Sequence, residues 1–197
     1  MRLSKVCDVR SGYTARGKLD PLVRGGVPAL QLRNVSTDGQ APGSRLEKYD
    51  LGALSDRYFV RGGDLVFRSR GEPNTAAVVS DALVEPAVVI VPLFIVRPDR
   101  ERVLPEYLAW AINQPDAQRR LAAEAQGTSL RMIPIAVLKN LDIAVPDLHT
   151  QKKIVALDAL ARHEAHLLRQ LAVRREQLVS AVLGKAATAT DLERITK

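Results

Sequence analysis

The sequence predicts an α+β chain: a mixed α/β domain over residues 1–148, a long coiled-coil-forming helix over 149–185, and a short tail at 186–197. Three observations carry this. Short β-branched and apolar runs recur through the first half of the chain. Two proline-led helical segments follow them. An apolar 3-4 repeat then runs from Ile154 to Val182.

Residues 27–35 and 64–67 are expected strands, the second entered through the turn-forming pair Gly62-Gly63. Residues 76–79, 88–91 and 93–96 are rich in valine, isoleucine and alanine, as buried strands are. Pro92 cannot donate to a ladder, so a bulge or sheet edge is expected there. Helices are expected over 105–113 and 115–125, each opened by a proline suited to a first helical position. Gly127 is placed to stop the second. Tyr107, Leu108, Ala111 and Ile112 share one helical face and should pack on the sheet. Residues 134–140 suggest a helical turn that leads into a strand at 141–145.

The last segment is different in kind. Ile154, Leu157, Ala161, Glu164, Leu168, Leu171, Arg175, Leu178 and Val182 recur at 3-4 spacing, and seven of the nine are apolar. Thr150 is placed to cap the start and Gly184 to end the helix. About 35 helical residues at ~1.5 Å each span roughly 50 Å, more than one small domain needs. Such a helix should find a partner.

Charge points to a polyanion. The chain of 197 residues carries a formal charge of +7 and a pI near 9.9. Residues 1–70 hold 13 Lys/Arg against 7 Asp/Glu, residues 71–148 hold 7 against 10, and residues 149–197 hold 9 against 5. Positive charge therefore concentrates in the first third and the final helix. Aromatics make up only 4%, which argues against a broad stacking platform for single-stranded nucleic acid. Cys7 is the only cysteine, so an internal disulfide and a thiolate-rich zinc site are both excluded. The first residues lack the apolar run of a signal peptide, and a soluble cytoplasmic protein is expected.

Catalytic signatures are missing. No phosphate-binding glycine loop ends in Lys-Ser/Thr, no Asn/Asp-Pro-Pro-aromatic tetrapeptide occurs, and no Glu is followed two positions on by Lys. His163 and His166 stand three apart without an evident third ligand, so no metal is expected. A non-catalytic chain without a cofactor of its own is the expectation.

Sequence readout needs donors and acceptors on loops or element ends, backed by cations that hold phosphates. Four clusters fit: Tyr13, Thr14, Arg16 and Lys18 in a glycine-flexed loop; Arg33-Asn34 at a strand end; Arg68-Ser69-Arg70 directly after a strand; and Gln126, Thr128, Ser129 and Arg131 between two elements. If the chain stays extended, Arg68 and Arg70 face the same side, and either can pair bidentately with guanine. Asn34 is open between recognising adenine and capping a turn. Residues 126–129 are open between readout and a simple helix C-cap.

Leu104-Pro105-x-Tyr107-Leu108, then Gln126-Gly127-Thr128, Leu141-x-Ile143-x-Val145-Pro146 and Gln151-x-x-Ile154 follow one another in an order that resembles the type I restriction-modification DNA specificity subunits. Gly12-Tyr13-Thr14 and Gly63-Asp64-Leu65-Val66-Phe67-x-Ser69-Arg70-Gly71 are similar to that family as well. The resemblance implies a target-recognition domain followed by a spacer helix, double-stranded DNA as ligand, and a methyltransferase partner that alone carries S-adenosylmethionine, with a restriction subunit as a possible third component. Full-length members resemble two such domains with two helices packed antiparallel as a ruler. This sequence departs by holding one copy, and the resemblance then implies a homodimer of half-subunits reading a split palindrome. Ile154, Leu157, Ala161, Leu168, Leu171, Leu178 and Val182 would form its seam. The competing readings are a stand-alone dimeric DNA-binding regulator and a protein-interaction adaptor.

Overall fold

The computed structural model describes residues 1–35, 46–128 and 130–195. The chain divides into two compact units, Met1–Lys153 and Ile154–Lys197. The first contains β1 (Cys7–Ser11), β2 (Val27–Leu30), β3 (Lys48–Tyr49), β4 (Phe59–Val60), β5 (Leu65–Arg68), β6 (Ala76–Val78), β7 (Ala87–Val89) and β8 (Leu93–Pro98). The helices are α1 (Pro105–Asn113), α2 (Pro115–Ala123), α3 (Ile135–Asn140) and α4 (Leu148–Ile195).

Two four-stranded sheets form. One has the order β1-β8-β5-β6 and is antiparallel throughout; the other has the order β3-β2-β7-β4, with β2 and β7 parallel. Side chains alternate along each strand, and the two inward faces make a shared core. Leu30, Val60 and Val89 from one sheet meet Val66, Ala77 and Ile95 from the other. Each leucine, valine or isoleucine side chain removed from water there contributes about 1.5–3 kcal/mol. Phe67 and Phe94, opposite one another on the outer face of the first sheet, stack with centroids 6.2 Å apart. Buried Asp64 accepts two hydrogen bonds from Arg97 of β8, each 3.0 Å, and Arg97 also donates to the Phe59 carbonyl of β4. That fork ties the two sheets together. The Asp64 carboxylate also raises the Arg97 pKa above its ordinary value, which the loss of hydration opposes.

The proline-led helices lie where the sequence places them. On α1, Tyr107, Leu108, Ala111 and Ile112 are buried, and the helix packs against β6. The Asn113 amide completes the contact: it accepts from Ala76 N–H and donates to Ala76 C=O, both at 2.8 Å, standing in for a neighbouring strand at the sheet edge. The second helix ends at Ala123, and Gly127 takes a φ of 105° in the loop beyond.

Several expectations are corrected. Residues 27–35 form a strand only as far as Leu30, because the backbone turns into a single 3₁₀ turn at Leu32–Asn34. Asn34 Oδ1 accepts from Gln31 N–H at 2.9 Å, while the Gln31 side chain accepts in return from Asn34 N–H. Pro92 marks neither bulge nor edge; the chain crosses there from one sheet to the other. Residues 141–145 form no strand; an isolated bridge between Arg2 and Asp142, with Leu3 N–H donating to Leu141 C=O at 2.8 Å and Ile143 N–H to Met1 C=O at 3.0 Å, ties them to the start of the chain. Thr150 is not the helix cap. The helix starts at Leu148, and Asp147 caps it by accepting from Thr150 N–H at 2.9 Å and from the Thr150 hydroxyl at 2.8 Å. Gly184 does not end the helix, which continues to Ile195.

Candidate nucleic-acid interface

Strand register brings most of the sequence-predicted sites to one place. Ser11 at the end of β1 pairs with Phe94, Arg68 at the end of β5 pairs with Leu93, and Phe67 pairs with Ala76 at the start of β6. The loops after β1 and β5 therefore leave from the same end of the sheet. Gly12 is required at this exit, since a Cβ there would lie 2.7 Å from the Val89 carbonyl oxygen. Tyr13 is then fixed by N–H donation to Val89 C=O at 2.7 Å and by acceptance from Val91 N–H at 3.0 Å. Thr14, Arg16 and Lys18 follow, all exposed, with Lys18 paired to Asp20 at 2.9 Å.

The third and fourth clusters meet one another. Gln126 and Met132 exchange backbone hydrogen bonds of 2.9 and 2.8 Å, which closes a small loop. Met132 also bridges to Arg70, and Ile133 N–H donates to Ser69 C=O at 2.7 Å. Gln126, Arg131 and Met132 are thus braced against residues 69–71. Arg70, Gln126, Thr128 and Arg131 are exposed; Ser129 lies outside the described residues. Arg131 donates to Ala122 C=O at 2.8 Å and stands 3.8 Å from Glu72.

Two members of the Arg68-Ser69-Arg70 cluster face inward. Ser69 is fully buried, and its hydroxyl donates to Pro92 C=O. Arg68 donates through one terminal nitrogen to the carbonyls of Leu32 and Val35, and its Nε has no hydrogen-bond partner among the described residues. Arg70, by contrast, is exposed and its backbone bridges to Met132 of the neighbouring loop. Arg68 and Arg70 therefore do not present together. Arg68 instead anchors the 3₁₀ turn that carries Arg33 and Asn34, so the second cluster stands against the end of β5. Arg33 is paired with Glu47 and donates to the Tyr49 hydroxyl at 2.6 Å. Acceptance from Tyr49, together with Arg33, holds the Glu47 carboxyl below its ordinary pKa. Burial and the Glu47 carboxylate push the Tyr49 hydroxyl up.

Four residues were not anticipated. Arg10, Arg57, Tyr58 and Lys139 line a cleft of about 940 Å³ with Tyr13, Thr14 and Arg16. The rings of Tyr13 and Tyr58 meet edge to face at 5.4 Å, and the Arg57 guanidinium lies 4.5 Å above the Tyr58 ring. Arg57-Tyr58 sits in a single 3₁₀ turn and Lys139 on the six-residue α3, too short for periodicity to reveal which way they face.

No family model matches the chain, and no curated protein matches it. Solved structures do. The chain is similar to the HsdS subunit from Thermoanaerobacter tengcongensis, with 21% identity, a TM-score of 0.59, and coverage of 85% of this chain and 38% of that one. A chain from work on complex assembly and conformational transition of the type I R-M system gives 20% identity, a TM-score of 0.62, and coverage of 87% and 40%. The type I restriction-modification system S subunit from M. genitalium gives 14%, 0.52, and coverage of 87% and 40%. The chain has the S-subunit fold. It spans about two fifths of the length of the S-subunit chains it matches.

In this S-subunit fold the start of α4 is built into the first compact unit. Gln151 is fully buried; it accepts from Leu104 N–H at 2.8 Å and donates to Arg102 C=O at 2.9 Å and Pro146 C=O at 2.7 Å. In the second unit Leu157, Leu168, Leu171, Leu178 and Val182 are 56–69% exposed, and Ala161 is exposed too. Among the described residues no helix is long and apolar enough to cross a membrane, and no group of three His, Cys, Asp or Glu could hold a metal ion. Cys7 is buried, its thiol donates to Leu3 C=O at 3.2 Å, and burial, aided by Asp8, pushes its pKa to about 12.

Proposed function

We propose that this chain is a DNA sequence-specificity subunit of a type I restriction-modification system, non-catalytic itself. It selects the target for an adenine methyltransferase that carries S-adenosylmethionine, and a restriction subunit can join that complex. The observation that carries the reading is the convergence, at one end of an S-subunit-like sheet, of loops 12–18 and 69–71, the 126–131 loop and the Arg33-Asn34 turn. Exposed polar side chains on braced loops suit base readout, which depends on rigidly aimed donors and acceptors.

Two copies associate through the α4 stripe in this reading. An uncovered row of leucines and valines over some four heptads is the surface that coiled-coil pairing removes from water. Two recognition units related by two-fold symmetry then read the two halves of a split palindrome.

Mapping of methylated adenines in cells with and without the gene tests this directly. The expected result is a bipartite motif whose methylation disappears with the gene and returns with it, together with co-purification of a methyltransferase. Unchanged methylation, with sequence-specific binding by the chain alone, would replace the reading with a stand-alone regulator. Absence of salt-sensitive DNA binding would leave an adaptor.

A further inference from the structure

We infer that the cleft between the loop after β1, the Asp56–Tyr58 turn and α3 is a phosphate clamp, which grips the backbone of one DNA strand and fixes the register in which the neighbouring loops read bases. This rests on the DNA-recognition reading and assigns a separate task within it.

Three cations from distant parts of the sequence converge there: Arg16, Arg57 and Lys139. None of the three forms an ion pair among the described residues, whereas Arg10 at the cleft wall is neutralised by Asp8. Unpaired like charges gathered around one concavity repel one another, and a polyanion relieves that repulsion. The chemistry of the lining separates this cleft from its neighbour. The loops at 69–71 and 126–131 present an arginine fork, an amide and a hydroxyl, groups that distinguish base edges. The cleft has arginines of its own, Arg16 and Arg57, but presents no side-chain amide. It offers Lys139, a compact charge that binds phosphate without directional preference, and hydroxyl donors on Thr14 and Tyr58.

The site is built rather than incidental. Tyr13 is locked by two backbone hydrogen bonds to residues 89–91, Tyr58 packs edge-on against it, and Arg57 lies across the Tyr58 ring. A guanidinium held on an aromatic face loses less freedom when it binds an anion than one on a free side chain. Double-stranded DNA is the occupant assigned, since the base-reading loops share this end of the sheet.

The test measures binding of the full chain, alone and in its co-expressed complex, to a random-sequence duplex pool and to the duplex enriched from it, over a range of salt. Each of Arg57→Ala and Lys139→Ala should lower the slope of log affinity against log salt by about one. Affinity should fall by the same factor on both duplexes, and Arg57→Lys and Lys139→Arg should keep the slope. An Ala variant that changes the preference between the duplexes at unchanged slope makes the residue a base reader and overturns the clamp. Unaltered slope and affinity in both Ala variants does the same while leaving DNA recognition standing. Displacement of the duplex by free mononucleotide, abolished by Lys139→Ala, would reassign the cleft to a small phosphorylated ligand. If the wild-type chain shows no salt-dependent binding in either form, the DNA-recognition reading falls and the clamp with it.

Discussion

Arg68 and Arg70 stand two residues apart, yet one is bound to the scaffold and the other is free to reach a ligand. The sequence shows both as arginines after a strand; only the carbonyls of Leu32 and Val35, which hold Arg68, separate them. Their variants should differ in kind. Arg70→Ala is expected to lose discrimination at one base pair, worth about 1–3 kcal/mol, while nonspecific affinity persists. Arg68→Ala removes the donor that holds the 3₁₀ turn and should cost about 1–2 kcal/mol of stability in urea unfolding. Any effect of Arg68→Ala on DNA should appear as uniform weakening. Specificity lost at a single base pair in Arg68→Ala would return it to the readers. Ser69 teaches the same lesson: a hydroxyl in a polar tripeptide looks available until its burial against Pro92 is seen.

At the scale of elements, what the sequence reveals depends on length and on self-sufficiency. Proline at a first helical position and a one-sided apolar stripe are local signals, so α1 and α2 are found nearly to the residue. Strand β1 is only five residues long, with exposed Asp8 and Arg10 alternating with buried Cys7 and Val9, and β3 and β4 are two residues each, below any periodicity. Crossing between sheets at Pro92 is a long-range fact with no local mark. The start of α4 was misplaced because Thr150 and Asp147 are both good caps, and the contest is settled by geometry: Thr150 donates and Asp147 accepts. Those bonds, the Thr150 N–H first, hold the Asp147 carboxyl below its ordinary 3.8. A carboxylate favoured in the folded state stabilises at every pH above its unfolded value and loses that contribution as pH falls through the lower folded value. The Thr150 amide should therefore be protected from exchange, relative to the intrinsic rate at the same pH, at neutral pH, and lose that protection only once pH drops below the ordinary carboxylate range. Asp147→Ala should lack that protection at every pH. Equal exchange in the two proteins at neutral pH would remove Asp147 as the cap.

For the whole molecule, the proposed ruler is a statement about lengths that can be changed. Seven residues inserted beside Leu168 restore the helix face to within about 20°, because seven residues fall just short of two turns of 3.6. The seam of Leu157, Leu168, Leu171 and Leu178 therefore survives, and dimerisation should be unaffected in sedimentation. Length does not survive: each helix grows by about 10 Å at ~1.5 Å per residue. Stacked base pairs advance about 3.4 Å, so the gap between half-sites should widen by about three base pairs. Three base pairs also rotate one half-site around the duplex axis by about 100°, given 10–10.5 base pairs per turn. The helix turn does not supply that rotation, so the new preferred gap should be bound more weakly than the old one was by the parent. Selection from duplexes with randomised gaps reads both quantities at once. A dimer that keeps its original gap would show that the distance is set elsewhere than along α4, even if every contact to the bases stands.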